Sequence, residues 1–498
     1  MIKRQGILIL SLSVLFIIML VAYIAVIKPM TAEDEETDAP PPETDAGEAL
    51  TYGDYFLMFP QVERKNIQSI EVHNEHGTYK FVRDGEAESD FAIDGYENLA
   101  YDEELFSKLV IAAGYSMAPE KVTENPTEQE LIDYGFAGEG VTPPHYILTT
   151  TDGQSHKVII GKKIISGGAY YAMYEGRKTV YIIDVGIEDT LLKPIETMVS
   201  PLLTAGIETT DYYRINNFSI KRGGEDFLIC RNLTKEELAD METTAIAKSI
   251  ATFPAEYNLS MYYDTTLQTL CYYTGESVVA LGLDDETLAK YGLNNPAYTI
   301  SYEYGGARIT LNASEKTDDG YYYVSTSLFR IVVKVPAADF EFLEWNLMHW
   351  IDEAIFSCNI TFVNNIKLES PGFNETFRLN HFPTEDPNLV VIGDECGQID
   401  DVKNFREFYK TLLLTAYEGE VPEEEDPVKD ENLILTFTVT TNGGNVTEYC
   451  FYRYSTRRAL VTVNGNGQFY VLVDAVQKII SDAERVAEGG EVNALDKN

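Results

Sequence analysis

Three segments of the sequence start with the same pattern of apolar residues. They begin at Ile67, Ile215 and Val363, so each lies 148 residues after the previous one. In each segment the first, fourth and sixth residues are apolar, and the closing alternation is typical of a strand with one buried face. A turn containing glycine and a second strand-like run follow, which predicts a hairpin. This spacing indicates three copies of one folding unit of about 150 residues.

The first two copies also contain a short helix that ends at a Tyr-Gly pair. In the first copy Thr127 and Glu130 form a capping-box pattern, and Gly135 stands where a left-handed cap is needed. In the second copy Asp284 is the N-cap of a matching helix that ends at Tyr291-Gly292. Strand-like runs follow in both copies, as they do in the third.

These patterns predict an α+β fold class. We expect an N-terminal transmembrane helix followed by three tandem modules of mainly antiparallel sheet with short helices. The third module diverges, because it lacks the Tyr-Gly helix and carries an acidic loop at 423–427 instead. The predicted ranges are 1–28 for the cytoplasmic tip and transmembrane helix, 29–60 for an acidic, proline-rich linker, 61–205 for module 1, 206–357 for module 2, 358–487 for module 3 and 488–498 for a tail.

The N-terminus contains an apolar run that predicts a membrane anchor. Residues 6–27 carry no charge, and at ~1.5 Å per residue a helix of this length is long enough to cross a hydrocarbon core of about 30 Å. A cleaved signal peptide is the alternative, but the run is longer than a usual signal core and no small-x-small site follows it. Lys3 and Arg4 precede the span, which favours an extracytoplasmic location for the bulk of the chain. We therefore predict a single-pass cell-membrane protein that contacts the lipid bilayer through residues 6–27.

The charge balance excludes one class of partner. The chain has 38 basic and 80 acidic residues, for a net charge of −42. Such a surface repels nucleic acid, so we expect no nucleic-acid partner. The linker holds many acids and Pro40-Pro41-Pro42, and it is expected to stay extended as a stalk.

A search for chemistry finds no catalytic, cofactor-binding or metal-binding residues to assign. His73 and His76 resemble a metal pattern, but they fall at a predicted hairpin turn and lack the further ligands that zinc needs. The five cysteines are odd in number and widely spaced, which favours free thiols over a disulfide framework, with one adventitious disulfide as the alternative. We predict buried positions for Cys230 and Cys450.

Tyrosine is abundant, with 33 residues and several consecutive runs. On a strand, neighbouring tyrosines point to opposite faces, so about half of each run would face outward. Exposed rows suit a partner protein or a cell-wall glycan, whereas half-buried tyrosines are also ordinary in strands. The runs are Tyr170-Tyr171, Tyr262-Tyr263, Tyr272-Tyr273 and Tyr321-Tyr322-Tyr323.

The run Leu283–Tyr304, with its Tyr-Gly-Leu helix stop, resembles the bacterial domain of unknown function 4340 family. Leu131–Thr150 is similar, and the resemblance extends over most of residues 60–480. Members of that family are typically membrane-anchored extracytoplasmic proteins, often encoded beside ABC-type exporters. The family has no established catalytic residues, so the resemblance implies an accessory or scaffold role at the cell envelope.

We therefore expect a membrane-tethered extracytoplasmic interaction or scaffold protein and not an enzyme. An accessory subunit of an ABC-type envelope transport system is one form of this hypothesis, with the transporter as an envelope protein partner. The alternative is a module that binds cell-wall glycan through exposed tyrosine rows. A hydrolase with a site assembled across modules is a third hypothesis, which would need convergent carboxylates in a deep pocket.

Overall fold

The computed structural model describes residues 50–83, 91–240, 248–381, 389–422 and 427–495. The predicted membrane span, most of the predicted linker and the acidic loop at 423–426 lie outside these ranges. Within them, no helix combines the length and the apolar character that crossing a bilayer requires. The described chain divides into two compact units. One comprises residues up to Asn66 with Gly114–Val185, and the other comprises Ile67–Ala113 with the described residues from Gly186 onwards.

Strands dominate the structure, and the α-helices are few and mostly short. In chain order the strands are β1 (Leu50–Tyr52), β2 (Tyr55–Leu57), β3 (Ile67–Asn74), β4 (Gly77–Arg83), β5 (Phe91–Ile93), β6 (Met117–Ala118), β7 (Glu120–Glu124), β8 (His145–Thr150), β9 (Ser155–Lys163), β10 (Ala169–Tyr174), β11 (Thr179–Asp184), β12 (Leu202–Thr204), β13 (Asn216–Arg222), β14 (Glu225–Asn232), β15 (Ser249–Phe253), β16 (Tyr257–Asn258), β17 (Tyr273–Thr274), β18 (Ser277–Leu281), β19 (Tyr298–Tyr304), β20 (Ala307–Ala313), β21 (Tyr321–Thr326), β22 (Ile331–Pro336), β23 (Val363–Ser370), β24 (Phe373–His381), β25 (Leu389–Gly393), β26 (Gly397–Gln398), β27 (Gly419–Glu420), β28 (Leu433–Thr441), β29 (Val446–Arg453), β30 (Arg458–Val463) and β31 (Asn466–Leu472). The α-helices are α1 (Glu103–Gly114), α2 (Glu128–Tyr134), α3 (Lys235–Asp240), α4 (Met261–Cys271), α5 (Asp285–Lys290), α6 (Leu347–Trp350), α7 (Val402–Leu413) and α8 (Val473–Ala487).

The first unit contains two antiparallel arrays. Strands β1, β2 and β6 form a small sheet, and β8-β9-β10-β11-β7 are neighbours in that order. Strands β1 and β2 therefore lie inside the range predicted as linker. A strand-like run predicted after the first helix stop is confirmed as β8 (His145–Thr150), in which every second side chain is buried.

The second unit contains two nine-stranded antiparallel sheets. Their orders are β16-β15-β14-β13-β19-β20-β21-β22-β18 and β26-β25-β24-β23-β28-β29-β30-β31-β27, which correspond strand for strand. The group β5-β4-β3 and, in the first unit, β8-β9-β10-β11-β7 each follow part of the same order. Antiparallel sheets with a few short helices confirm the predicted α+β class.

The three segments that share an apolar pattern start strands β3, β13 and β23. In each, the first, fourth and sixth residues are the ones that the structure buries, and none is more than 1% exposed. Since side chains alternate across a strand, this pattern sets which face of each sheet carries the core. The buried residues are Ile67, Ile70, Val72, Ile215, Phe218, Ile220, Val363, Ile366 and Leu368.

The helix stop predicted in the first unit is confirmed in detail. Helix α2 has a full capping box between Thr127 and Glu130, and Gly135 adopts the left-handed conformation at φ 85°. The amide of Phe136 donates to the carbonyl of Leu131 at 2.8 Å, so the chain folds back over the helix. Strand β9 must supply a glycine beneath this turn, because a Cβ on Gly161 would lie 2.4 Å from the Tyr134 carbonyl oxygen.

Helix α8 was missed at the sequence level. Its buried residues Val473, Val476 and Ile479 follow helical spacing, a pattern that could have predicted it. Inside the helix the fully buried Asp482 pairs with Lys478 at 2.9 Å and accepts a hydrogen bond from Thr411 of α7 at 2.7 Å. A buried carboxylate needs such partners, so this network fixes α8 on α7.

An aromatic cluster joins the two nine-stranded sheets. The ring of Tyr257 in β16 lies 6.0 Å from that of Tyr417 and 5.0 Å from that of Phe469 in β31. The Tyr257 hydroxyl accepts from the Gln468 amide at 3.2 Å, and the Tyr417 amide donates to the Glu353 carbonyl at 2.7 Å. This joint therefore combines aromatic contacts with hydrogen bonds. Its burial raises the pKa of Tyr257 to about 12.

Replacing Tyr257 with alanine is expected to uncouple the two sheets. Removing a buried aromatic ring costs about 3–5 kcal/mol, and here the loss falls on the joint. Scanning calorimetry of the full chain in detergent should then show the transition of this unit broadened or split, at a lower temperature. Tyr272→Ala is the matched control, because that tyrosine is 62% exposed. An unchanged transition in Tyr257→Ala would contradict a coupling role for the cluster.

Candidate functional site

A cleft of about 730 Å³ lies entirely within the second unit. One wall is the hairpin of β3 and β4 with Tyr96 and Glu196, and the other is strand β18 with helix α5. The hairpin forms because strand β3, with its alternating apolar residues, is followed by a two-residue turn at Glu75 and His76. Polar and charged side chains predominate among the residues that line the cleft.

Strand β18 presents its edge to this cleft. It is the last strand of its sheet, with β22 as its neighbour. The consecutive residues Val279, Ala280 and Leu281 all line the cleft. The pairing with β22 shifts register between Val278 and Ala280, which interrupts the regular alternation of side chains at Val279. Three consecutive residues can therefore border one space beside the strand edge. An edge of this kind carries backbone groups on which another extended chain can pair.

The tyrosine of the second helix stop holds that edge in place. The Tyr291 hydroxyl donates to the carbonyl of Val279 at 2.8 Å, and its ring lies 4.8 Å from the ring of Tyr323 in β21. Gly292 then adopts φ 69°, and the Leu293 amide donates to the Leu288 carbonyl at 2.7 Å. The helix stop therefore positions a wall of the cleft. The ring of the corresponding Tyr134 in the first unit lies 4.5 Å from that of Tyr171.

The opposite wall is fixed by a half-buried hydrogen-bond network. The Tyr79 hydroxyl donates to the Lys193 carbonyl at 2.7 Å and accepts from the Asn74 amide group at 2.9 Å. Asn74 also donates to the carbonyls of Leu191 and Lys193, each at 3.0 Å. Burial raises the pKa of Tyr79 to about 12, helped by the nearby Glu196 carboxylate and opposed by the Asn74 hydrogen bond. Tyr79 is therefore neutral at physiological pH and serves as a structural donor.

Both signs of charge line the cleft. Lys80 and Lys290 contribute cations, while Glu71, Asp94 and Glu196 contribute carboxylates. The Lys290 ammonium also lies 5.0 Å from the centre of the Tyr291 ring. A lining of this kind suits a ligand that carries both charges and backbone-like hydrogen-bonding groups. An extended peptide segment has these properties.

The two histidines of the predicted turn lie at this hairpin. His73 contacts the Glu71 carboxylate at 2.7 Å through Nε2 and the Thr78 hydroxyl at 2.9 Å through Nδ1. His76 is exposed beside Glu75, at 3.6 Å. Across the residues that the structure describes, no group of three or more His, Cys, Asp or Glu side chains is arranged to hold a metal ion.

All five cysteines are free thiols. Cys230, Cys271 and Cys450 are buried, while Cys358 and Cys396 are half-buried. The predicted buried positions of Cys230 and Cys450 are thus confirmed, and burial raises the pKa of the Cys230 thiol. A buried, protonated thiol behaves as a small apolar side chain.

The tyrosine runs do not form exposed rows on strands. Tyr322 is fully buried, and the tyrosines beside it are half-buried in β21. The expectation was wrong for Tyr262-Tyr263, because these residues lie in helix α4. Helical spacing exposes 49% of Tyr262 and leaves Tyr263 only 1% exposed. Within these runs the exposed tyrosines are therefore single residues, and their neighbours in space decide what they can bind.

Removing the Tyr291 hydroxyl should loosen the edge of β18. In Tyr291→Phe the carbonyl of Val279 loses a hydrogen bond worth about 1 kcal/mol, so amide exchange across Ser277–Gly282 should quicken by about fivefold. Hydrogen–deuterium exchange with mass spectrometry measures this directly. Tyr323→Phe is the matched control, since it keeps the ring pair and removes a hydroxyl with no hydrogen bond to the described residues. Equal exchange in both variants would contradict the anchoring role of Tyr291.

Comparison with known proteins gives one family match. The model described as "Domain of unknown function (DUF4340)" matches residues 92–262. No curated protein matches the chain, and no solved structure does. The match starts in β5 and ends in α4, so it contains the first Tyr-Gly helix stop, while the run Leu283–Tyr304 lies beyond it. Residues 92–262 of this chain therefore carry the domain of unknown function 4340, the family that its helix-stop sequences indicated.

Proposed function

We propose that this chain is an extracytoplasmic interaction protein tethered to the cell membrane, and that an extended segment of an envelope protein binds in the cleft along β18. The tether is the uncharged run at residues 6–27, followed by the acidic, proline-rich stalk. The partner favoured by the family resemblance is an ABC-type transport system, in which this chain would act as an accessory subunit.

Three tandem modules would provide the scaffold. The shared strand order and the equivalent buried positions in β3, β13 and β23 support this organisation. The joint at Tyr257, Tyr417 and Phe469 supports a fixed spacing between the second and third modules. A rigid frame presents binding surfaces without the entropy cost of ordering them on contact.

The single observation that carries the proposal is the strand edge of β18 inside the cleft. Peptide binding by strand addition needs unpaired backbone groups along an edge and side-chain contacts on both sides. The cleft supplies the edge at Ala280 and Leu281, beside the Val279 carbonyl that Tyr291 already binds, and charges of both signs from Lys80, Lys290 and Glu196. Main-chain pairing would supply affinity, and the charges would select the partner's sequence.

The tether predicts a simple topology. The full chain should sediment with membranes and resist extraction at alkaline pH, because an apolar span of this length is inserted and not adsorbed. Protease added to intact spheroplasts should degrade residues 50–498, since these lie outside. A version lacking residues 6–27 is the control and should leave the membrane fraction. Protection of the full chain from external protease would contradict the orientation.

Site-specific crosslinking tests the cleft. We expect p-benzoylphenylalanine at Thr287, which lines the cleft, to form an adduct with a polytopic membrane protein in intact cells. The same group at the exposed Thr265 of α4 is the matched control and should give no such adduct. Charge reversal at Lys80 and Lys290 together should lower the Thr287 adduct several-fold, since both ammonium groups face the bound segment. Equal adducts from Thr287 and Thr265, or none from either, would overturn the cleft as the binding site.

A further inference from the structure

An exposed aromatic cluster lies beside helices α4 and α6, which pack on the first nine-stranded sheet. None of its residues lines the cleft. The ring of Tyr262 lies 5.4 Å from that of Trp345 and 6.2 Å from that of His349. Trp345 and His349 are stacked at 5.6 Å with an interplanar angle of 18°. Tyr262 is 49% exposed and its neighbour Met261 is 75% exposed. We call Tyr262, Trp345 and His349 the aromatic platform.

The fold does not require aromatic residues at these positions. The Ser260 amide donates to the Trp350 carbonyl at 2.9 Å, and the Asp102 amide makes the equivalent bond to Met198 at 3.0 Å. Counting from these matched bonds, the residues in the places of Tyr262, Trp345 and His349 are Glu104, Lys193 and Thr197. The same helical junction therefore forms without any of the three rings. Packing against the buried Phe342 and Trp350 accounts for Trp345, but the matched junction gives no packing reason for the exposed rings of Tyr262 and His349.

Polar atoms beside the platform are available to a ligand. Nδ1 of His349 contacts Oδ1 of Asn346 at 2.8 Å, which orients both side chains. The side-chain nitrogen Nδ2 of Asn346 and Nε2 of His349 make no hydrogen bond with the residues that the structure describes. Ser260 donates its hydroxyl to the His349 backbone carbonyl and so ties the platform to the start of α4.

We propose that the aromatic platform binds a neutral glycan by stacking a pyranose ring on the exposed ring of Tyr262, with the Trp345 ring as an adjoining wall at an interplanar angle of 68°. A pyranose has a flat face of C–H groups that suits an aromatic ring, and its hydroxyls would meet Asn346 and His349. The net charge of −42 disfavours anionic polymers, so among glycans we expect a neutral one. Partly exposed rings on three residues offer less than the roughly 800 Å² that each partner buries in a stable protein interface. A glycan needs only the rings and a few hydrogen bonds.

The two tryptophans of the chain make this site measurable. Trp350 is fully buried and Trp345 is half-buried in the platform, so a stacked sugar should change the emission of Trp345. The full chain in detergent would be titrated with the neutral tetrasaccharides tetra-N-acetylchitotetraose, cellotetraose and maltotetraose, with binding followed by tryptophan fluorescence and calorimetry. We expect saturable binding of at least one tetrasaccharide.

Variants assign the binding to the platform. Tyr262→Ala should raise the dissociation constant about tenfold or more, because one stacking ring is lost, and Trp345→Ala should do the same by calorimetry. Tyr272→Ala is the matched control, since it removes an exposed tyrosine at the other end of α4 and should leave binding unchanged. Circular dichroism establishes that each variant is folded.

Three results would overturn the platform as a glycan site. They are no binding of any of the three tetrasaccharides, unchanged binding in Tyr262→Ala, and equal loss in Tyr272→Ala. Loss of the Thr287 crosslink in Tyr262→Ala without any sugar binding would also overturn it, by assigning the platform to the protein partner. The Thr287 crosslink is otherwise expected to persist in Tyr262→Ala, so the two proposals fail separately.

Discussion

Burial of alternating apolar residues in the strands that start the repeated segments is the constraint on which the rest of the structure depends. Ile70, Phe218 and Ile366 are fully buried at equivalent positions of β3, β13 and β23. A register slip of one residue in any of these strands would turn its apolar set towards solvent. Register at the start therefore fixes the positions of the later strands, including the edge strand β18 that borders the cleft.

The Tyr-Gly helix stop combines a structural and a site-forming role. Its glycine ends the helix by adopting a conformation that other residues rarely reach, and its tyrosine then lies against the sheet. In the second unit the Tyr291 ring lies 4.8 Å from that of Tyr323, and the Tyr291 hydroxyl holds the Val279 carbonyl. The same motif that ends the helix thus also builds a wall of the cleft.

Two surfaces of the second unit differ in physical character and fit different occupants. The cleft combines a strand edge with charges of both signs, which favours an extended peptide. The aromatic platform combines stacked rings with free hydrogen-bonding atoms, which favours a neutral sugar. Under the two proposals, one unit would bind an extended protein segment and a neutral glycan on separate surfaces. Neither surface needs an ionisable group with catalytic properties.

Much of the fold followed from local patterns along the chain. The hairpins, strand β8 and both Tyr-Gly helix stops were predictable, because alternation, capping boxes and cap glycines act over a few residues. The apolar spacing of Val473, Val476 and Ile479 also fits a helix, so α8 was predictable from a local pattern as well. The embedded family domain was recognisable from the same helix-stop residues.

The sites were decided by tertiary structure. Tyr262 and Trp345 are far apart in sequence, and no local pattern places their rings 5.4 Å from each other. The cleft likewise needs the hairpin of β3 and β4 to lie near β18, about two hundred residues later. By itself the sequence determined the first strands, the hairpins and the helix stops, since those preferences are local. Which side chains share a surface depended on packing between distant segments, because burial joins residues without regard to their separation along the chain.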